Sequence, residues 1–201
     1  MTGHSRSIIL PTSYLPSISY FTLINNYSSV FIERQEYYIK QSIRNHTIIL
    51  GPNGNQKLTV PIERKGKSKK IIKDLKIANN LWQKKHLQAI KTAYGNSPFF
   101  IHYFEEVNKL KNKNYVFLFD LNQSLLNFFL TELEINKKIT STENYIKNYD
   151  NKHLDFRNNQ LITQNKKHLY YQQTFESKSL SLENYSIIDL LFNLGNESKN
   201  S

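Results

Sequence analysis

The stretch from Ser7 to Glu33 reads SIILPTSYLPSISYFTLINNYSSVFIE, and how it divides decides the fold. Ser7 to Leu10 is a short apolar run stopped by Pro11, the pattern of a buried strand. Thr12 to Pro16 makes a turn. Ile18 to Ile24 is an apolar helix that ends at Asn25 and Asn26. Ser29 to Glu33, with Val30, Phe31 and Ile32, reads as a second strand. No charged residue occurs between Ser7 and Ile32. A membrane span is nevertheless rejected, because Pro11, Pro16 and many Ser, Thr and Asn side chains would lack partners in lipid. The run Ile8-Ile9-Leu10 is also too short for the apolar core of a signal peptide. The chain reads as unexported and cytoplasmic.

Working outward, Gln35 to Arg44 mixes charges with Tyr37 and Tyr38 and shows no period. It reads as an exposed irregular segment, where binding residues concentrate. Thr47-Ile48-Ile49-Leu50, the turn Gly51-Pro52-Asn53-Gly54 and the run Lys57 to Ile62 spell a hairpin. Arg64 to Lys70 is a basic loop, and Leu75 to Ile77 a short strand. From Asn80 the period turns helical, with Trp82, His86, Ala89, Ile90 and Ala93 on one face, Asn79 or Asn80 as cap and Gly95 as stop. Pro98 opens a second helix carrying Phe100, Tyr103, Phe104, Val107 and Leu110. Tyr115 to Phe119 reads as a strand. Asp120 or Asn122 caps a helix with Leu125, Phe128, Phe129 and Leu133. Lys138 to Thr142 is strand-like, and the polar stretch Asn144 to Lys167 is a surface excursion. Ser186 to Asp189 resembles a capping box that opens a last short helix, stopped by Gly195. Alternation of strands and helices gives an α/β class: a single mixed sheet with an antiparallel hairpin and helices packed against it.

A length of 201 residues suits one domain, expected over residues 1–196, with 197–201 as a flexible tail. Apolar residues at 39% and aromatics at 13% suffice for a ring-rich core. The absence of cysteine removes disulfides and thiolate metal sites. Six scattered His residues show no paired ligand spacing, so no metal site is assigned; a carboxylate-bound Mg²⁺ stays open. No cofactor motif is evident. A net charge of +11 favours anions. The same charge also follows from the joint abundance of Lys, Asn, Ile, Tyr and Phe, as in an AT-rich genome.

Four stretches together resemble the WbqC-like family. They are Tyr14-Leu15-Pro16 with Tyr20-Phe21; Tyr38-Ile39-Lys40 and Arg44-Asn45 with Gly51, Gly54 and Leu58-Thr59-Val60-Pro61; Trp82, Lys85 and His86 with Ala93-Tyr94 and Ser97-Pro98-Phe99-Phe100; and the ending Asn184 to Gly195. They fall in order over almost the whole chain. The chain departs from the family pattern in three places. Pro11-Thr12 stands where the family has Gln-Pro, Arg34-Gln35 where it has Asp-Asp (with Glu33 and Glu36 adjacent), and His46 where it has Arg. The resemblance implies a transferase of bacterial surface-polysaccharide (O-antigen) assembly that moves an acyl or aminoacyl group, glycyl among them, to an amino sugar carried on a nucleotide.

Such chemistry needs cations for a diphosphate, a base for the amine and donors for an oxyanion. On that view Lys40, Arg44 and Lys85 are candidates for an anionic small-molecule substrate such as a nucleotide-sugar. Asn45 is a candidate for a sugar hydroxyl or oxyanion, and Tyr14, Tyr38 and Trp82 for ring contacts. His86 is the best base by type, with Glu33 or Glu36 orienting or replacing it. The plainer alternatives remain open: a core histidine and tryptophan, and solvated surface cations. No nucleophile elbow or P-loop occurs. A second class, a non-catalytic nucleic-acid or anion binder, rests on the charge and the aromatics. Oligomeric state is unread.

Overall fold

The computed structural model describes residues 7–63, 69–78, 81–158, 162, 171–175 and 182–195. The opening stretch forms a parallel β–α–β unit. β1 (Ser7–Pro11) pairs with β2 (Ser29–Glu33) in the register Ile8↔Val30 and Leu10↔Ile32, and α1 (Ile18–Asn26) crosses between them. Ser17 caps α1 by accepting the Tyr20 N–H. Two three-residue strands complete the sheet: β5 (Ile139–Ser141) beside β2, and β6 (His153–Asp155) beside β1. The strand order is β5-β2-β1-β6, all parallel.

β3 (His46–Gly51) and β4 (Gly54–Thr59) form the expected hairpin with Gly51 facing Gly54. The α/β class holds, but the single mixed sheet does not: the hairpin is a separate two-stranded sheet. The edge of β3 meets the chain around Ser186, whose N–H donates to the Ile48 carbonyl, and not a strand of the parallel sheet. The antiparallel pair therefore docks across the core.

Further readings change. Leu75–Ile77 is not a strand: a 3₁₀ turn at Ile72–Asp74 leads into single bridges, Lys76 to Phe117 and Ile77 to Ile62. Residues Tyr115 to Phe119 divide, because α4 (Leu118–Glu132) starts within them and buries Leu118, Leu121, Leu125 and Phe129 at helical spacing. Phe117 sits at the cap position, so Asp120 and Asn122 lie inside the helix. A five-residue apolar run has too short a period to separate strand from helix. The polar excursion supplies β6. The 64–68 part of the basic loop, Asn79, Asn80 and the tail lie outside the described residues.

The core lies on one face of the parallel sheet. Ile8, Leu10, Val30 and Ile32 point into it, with α1, α2 (Trp82–Tyr94), α3 (Phe100–Asn112), α4 and α5 (Ile187–Leu194). α5 is buried almost all round, as an apolar helix at a core centre must be. Its start is not a capping box. Ser186 Oγ donates to the Leu15 carbonyl, while the Asp189 carboxylate accepts from Tyr94, Tyr171 and Gln173. By strand alternation Ile9, Phe31, Glu33 and Asp155 face the other side. There the 143–152 segment covers the sheet, with Phe31 and Tyr149 both against the His153 ring.

Candidate functional site

The carboxyl ends of the four parallel strands deliver polar groups to one place. β2 ends on Glu33, β6 on Asp155, and Thr142 follows β5 directly. Glu33 is buried and accepts from Thr142 Oγ1 at 2.6 Å, the Gln35 N–H at 2.8 Å and Arg157 Nη1 at 3.3 Å. Asp155 takes Arg157 through Nε at 2.9 Å and Nη2 at 2.6 Å. Thr12, just past β1, accepts from Asn122 Nδ2, which also donates to the Arg44 carbonyl.

A second ion pair stands beside this one. Arg44 is 0% exposed and grips Glu36 with Nε and Nη2, both at 2.7 Å. Nη2 also donates to the Arg157 carbonyl at 3.1 Å, which ties the two guanidinium centres together. Burial pushes the Glu36 carboxyl above its ordinary range, against the pull of Arg44. Burial also raises Asp155, but the hydrogen bonds and charge of Arg157 outweigh it and the net shift is downward.

Between the pairs a cleft of about 420 Å³ opens, lined by Glu36, Arg44, Asp155, Arg157, Ile39 and Tyr145 among others. Ile39 and Tyr145 are each 52% exposed. The Arg157 guanidinium lies 4.9 Å from the Tyr145 ring and 5.1 Å from the Tyr149 ring, which fixes the segment above it. The arrangement offers carboxylate acceptors at the base and an apolar pair at the mouth.

The expected site residues are dispersed. Glu33, Glu36 and Arg44 belong to this cluster. Tyr14, Trp82 and His86 form a buried knot: Tyr14 Oη and His86 Nδ1 are 2.9 Å apart, and the Trp82 ring is 5.2 Å from the imidazole. Lys85 is exposed on another groove, between α2 and the hairpin turn. Asn45 is structural, with Nδ2 donating to the Val60 carbonyl. Tyr38 is half-buried, its N–H on the Lys70 carbonyl, and Lys40 is exposed. Neither Lys40 nor His86 lines the cleft or the groove. Sequence reasoning missed Asp155, Arg157, Thr142 and Tyr145. The available signal was the short alternation His153-Leu154-Asp155-Phe156-Arg157 inside a polar stretch.

The model of the WbqC-like protein family matches residues 12–183. The chain belongs to that family. It is also similar to an uncharacterized protein of Mycobacterium tuberculosis, Rv1507c, at 27% identity over 138 residues, 68% of this chain and 60% of the relative. The chain thus spans about 60% of that curated relative's length. No solved structure matches. In this WbqC-like protein the stretches that carry the resemblance interlock. Tyr14 meets His86, the Tyr14 N–H meets the Ile43 carbonyl, Ser186 meets Leu15, and Tyr94 meets Asp189. Much of the shared pattern is therefore core architecture, with Arg44 at its edge.

Proposed function

We propose that this WbqC-like protein is a transferase of bacterial surface-polysaccharide assembly that moves an acyl or aminoacyl group, glycyl among them, to an amino sugar, in the cleft at the carboxyl ends of the parallel strands. The observation that carries the reading is the meeting of Glu33, Glu36 and Asp155 with two arginines at that edge, the position where open α/β sheets bind ligands. The transferred group and the polysaccharide setting come from family kinship.

In this reading Glu36 is the base. Burial raises its affinity for a proton, which favours its accepting one from the attacking amine. Arg44 holds it in place, and each oxygen keeps a further lone pair for a substrate N–H. The amine nitrogen bonds to the acyl carbon, the bond from that carbon to the sulfur of a thioester donor breaks, and the amine proton passes by way of Glu36 to the departing thiolate, which restores the Glu36–Arg44 pair. Asp155 accepts from sugar hydroxyls, while Ile39 and Tyr145 hold the ring's apolar face. Arg44 does not serve a diphosphate here, because displacing Glu36 would break a buried ion pair.

The test is a mass-spectrometric screen of amine-bearing nucleotide-sugars with acyl and aminoacyl thioesters. A product heavier by the acyl group is expected, with turnover lowered roughly 10²- to 10⁴-fold in Glu36→Gln. Absence of product from every pair with the unaltered protein defeats the proposal.

A further inference from the structure

A larger groove lies away from the cleft. It measures about 810 Å³, the size of a nucleotide-scale ligand site. The turn Gly51–Gly54 with Asn55 and Gln56 forms one wall, and α2 forms the other. Its chemistry is one-sided. Lys84 and Lys85 line it, and none of the described lining residues is a carboxylate. Among the described residues neither ammonium has a hydrogen-bond or ion-pair partner, whereas Arg44 and Arg157 are both held by carboxylates. No acidic residue lies in the first turn of α2. The facing wall carries three amide side chains, Asn53, Asn55 and Gln56, and Tyr185 Oη fixes Asn55 by donating to its Oδ1 at 2.6 Å. Leu81, 70% exposed, gives the groove an apolar patch that water covers at a cost.

We propose that this groove binds a phosphorylated small molecule, with phosphate on Lys84 and Lys85 and a polar ring system against the amide-bearing hairpin turn. Two cations with no carboxylate partner among the described residues are matched by a phosphate ester; the apolar patch and the amides suit what the phosphate carries. Its volume falls within the range of small-molecule sites, which favours a small ligand over a continuous strand. The inference shares its ligand class with the transferase reading, but its test reads binding at the groove and not turnover at the cleft, so either can fail alone.

Calorimetric titration of the full chain with uridine diphosphate, at physiological salt, tests it. Binding is expected, with displacement by inorganic pyrophosphate and at least about tenfold weakening in Lys84→Gln/Lys85→Gln. Circular dichroism should show that pair folded, both side chains being exposed. Lys69→Gln/Lys70→Gln, an equal loss of charge elsewhere, should bind as the unaltered protein does. Absence of uridine diphosphate binding, or equal weakening by both pairs, overturns the proposal. So does a short single-stranded oligonucleotide that binds tighter than uridine diphosphate and depends on Lys84 and Lys85.

Discussion

Arg44 looks from its sequence neighbourhood like a surface cation ready for phosphate, and it lies wholly inside the protein. A guanidinium is tolerated there because its donors are met, two by Glu36 and another by the Arg157 carbonyl. Removing the cation alone strands a buried carboxylate. Arg44→Met should therefore lower unfolding free energy by about 3–5 kcal/mol in urea denaturation, and adding Glu36→Leu should restore most of it. A double variant no more stable than the single one would show that the ion pair is not what holds this site. The residue types were legible in the sequence; their burial was not. Residues 35–44 have no period that separates an inward from an outward side, and the partner of an ion pair is set by tertiary folding.

At the scale of elements, local chemistry predicts best where it is strongest. The hairpin follows from its glycine turn and flanking β-prone runs, and α2 and α5 from their periodicity and glycine stops. β6 escaped because its alternation runs over only five residues, His153 to Arg157, and sits inside a polar stretch. The same scale yields two tests. His46, at the start of β3, is held near pKa 4 instead of 6.5, first by burial and then by Lys57. The fold thus prefers the neutral ring: its contribution is present above pH 6.5 and is lost as pH falls toward about 4. Urea denaturation at pH 7 and pH 5 should show a smaller acid loss for His46→Gln than for the unaltered chain. At the other end, Gly195 closes α5 with φ +57°, and a Cβ there would lie 2.5 Å from the Phe99 ring. Gly195→Ala should cost about 1–3 kcal/mol, seen as a lowered melting temperature, with part regained in Gly195→Ala/Phe99→Ala.

For the whole molecule, the alternation of elements made the α/β class legible, but strand order was out of reach. The two outer strands are three residues each and lie at opposite edges of the sheet. The chain from β5 to β6 must therefore cross the sheet face that the helices leave uncovered. Arg157 anchors that crossing. It bonds the Lys147 carbonyl, lies beneath the Tyr145 and Tyr149 rings, and reaches Glu33 at the end of β2. One side chain thus joins the crossing segment, β6 and β2, and forms part of the cleft wall. Arg157→Met would release the segment and leave Glu33 without its cation, at a cost of roughly 3 kcal/mol. If that cost falls on local opening, amide exchange across residues 143–152 should quicken about 100-fold. The hairpin shares none of these contacts, so exchange in β3 and β4 should stay as it was. Unchanged exchange in the crossing segment would mean that the rings and backbone hold it without the guanidinium. Acceleration everywhere would mean that Arg157 supports the global fold and not the covering segment alone.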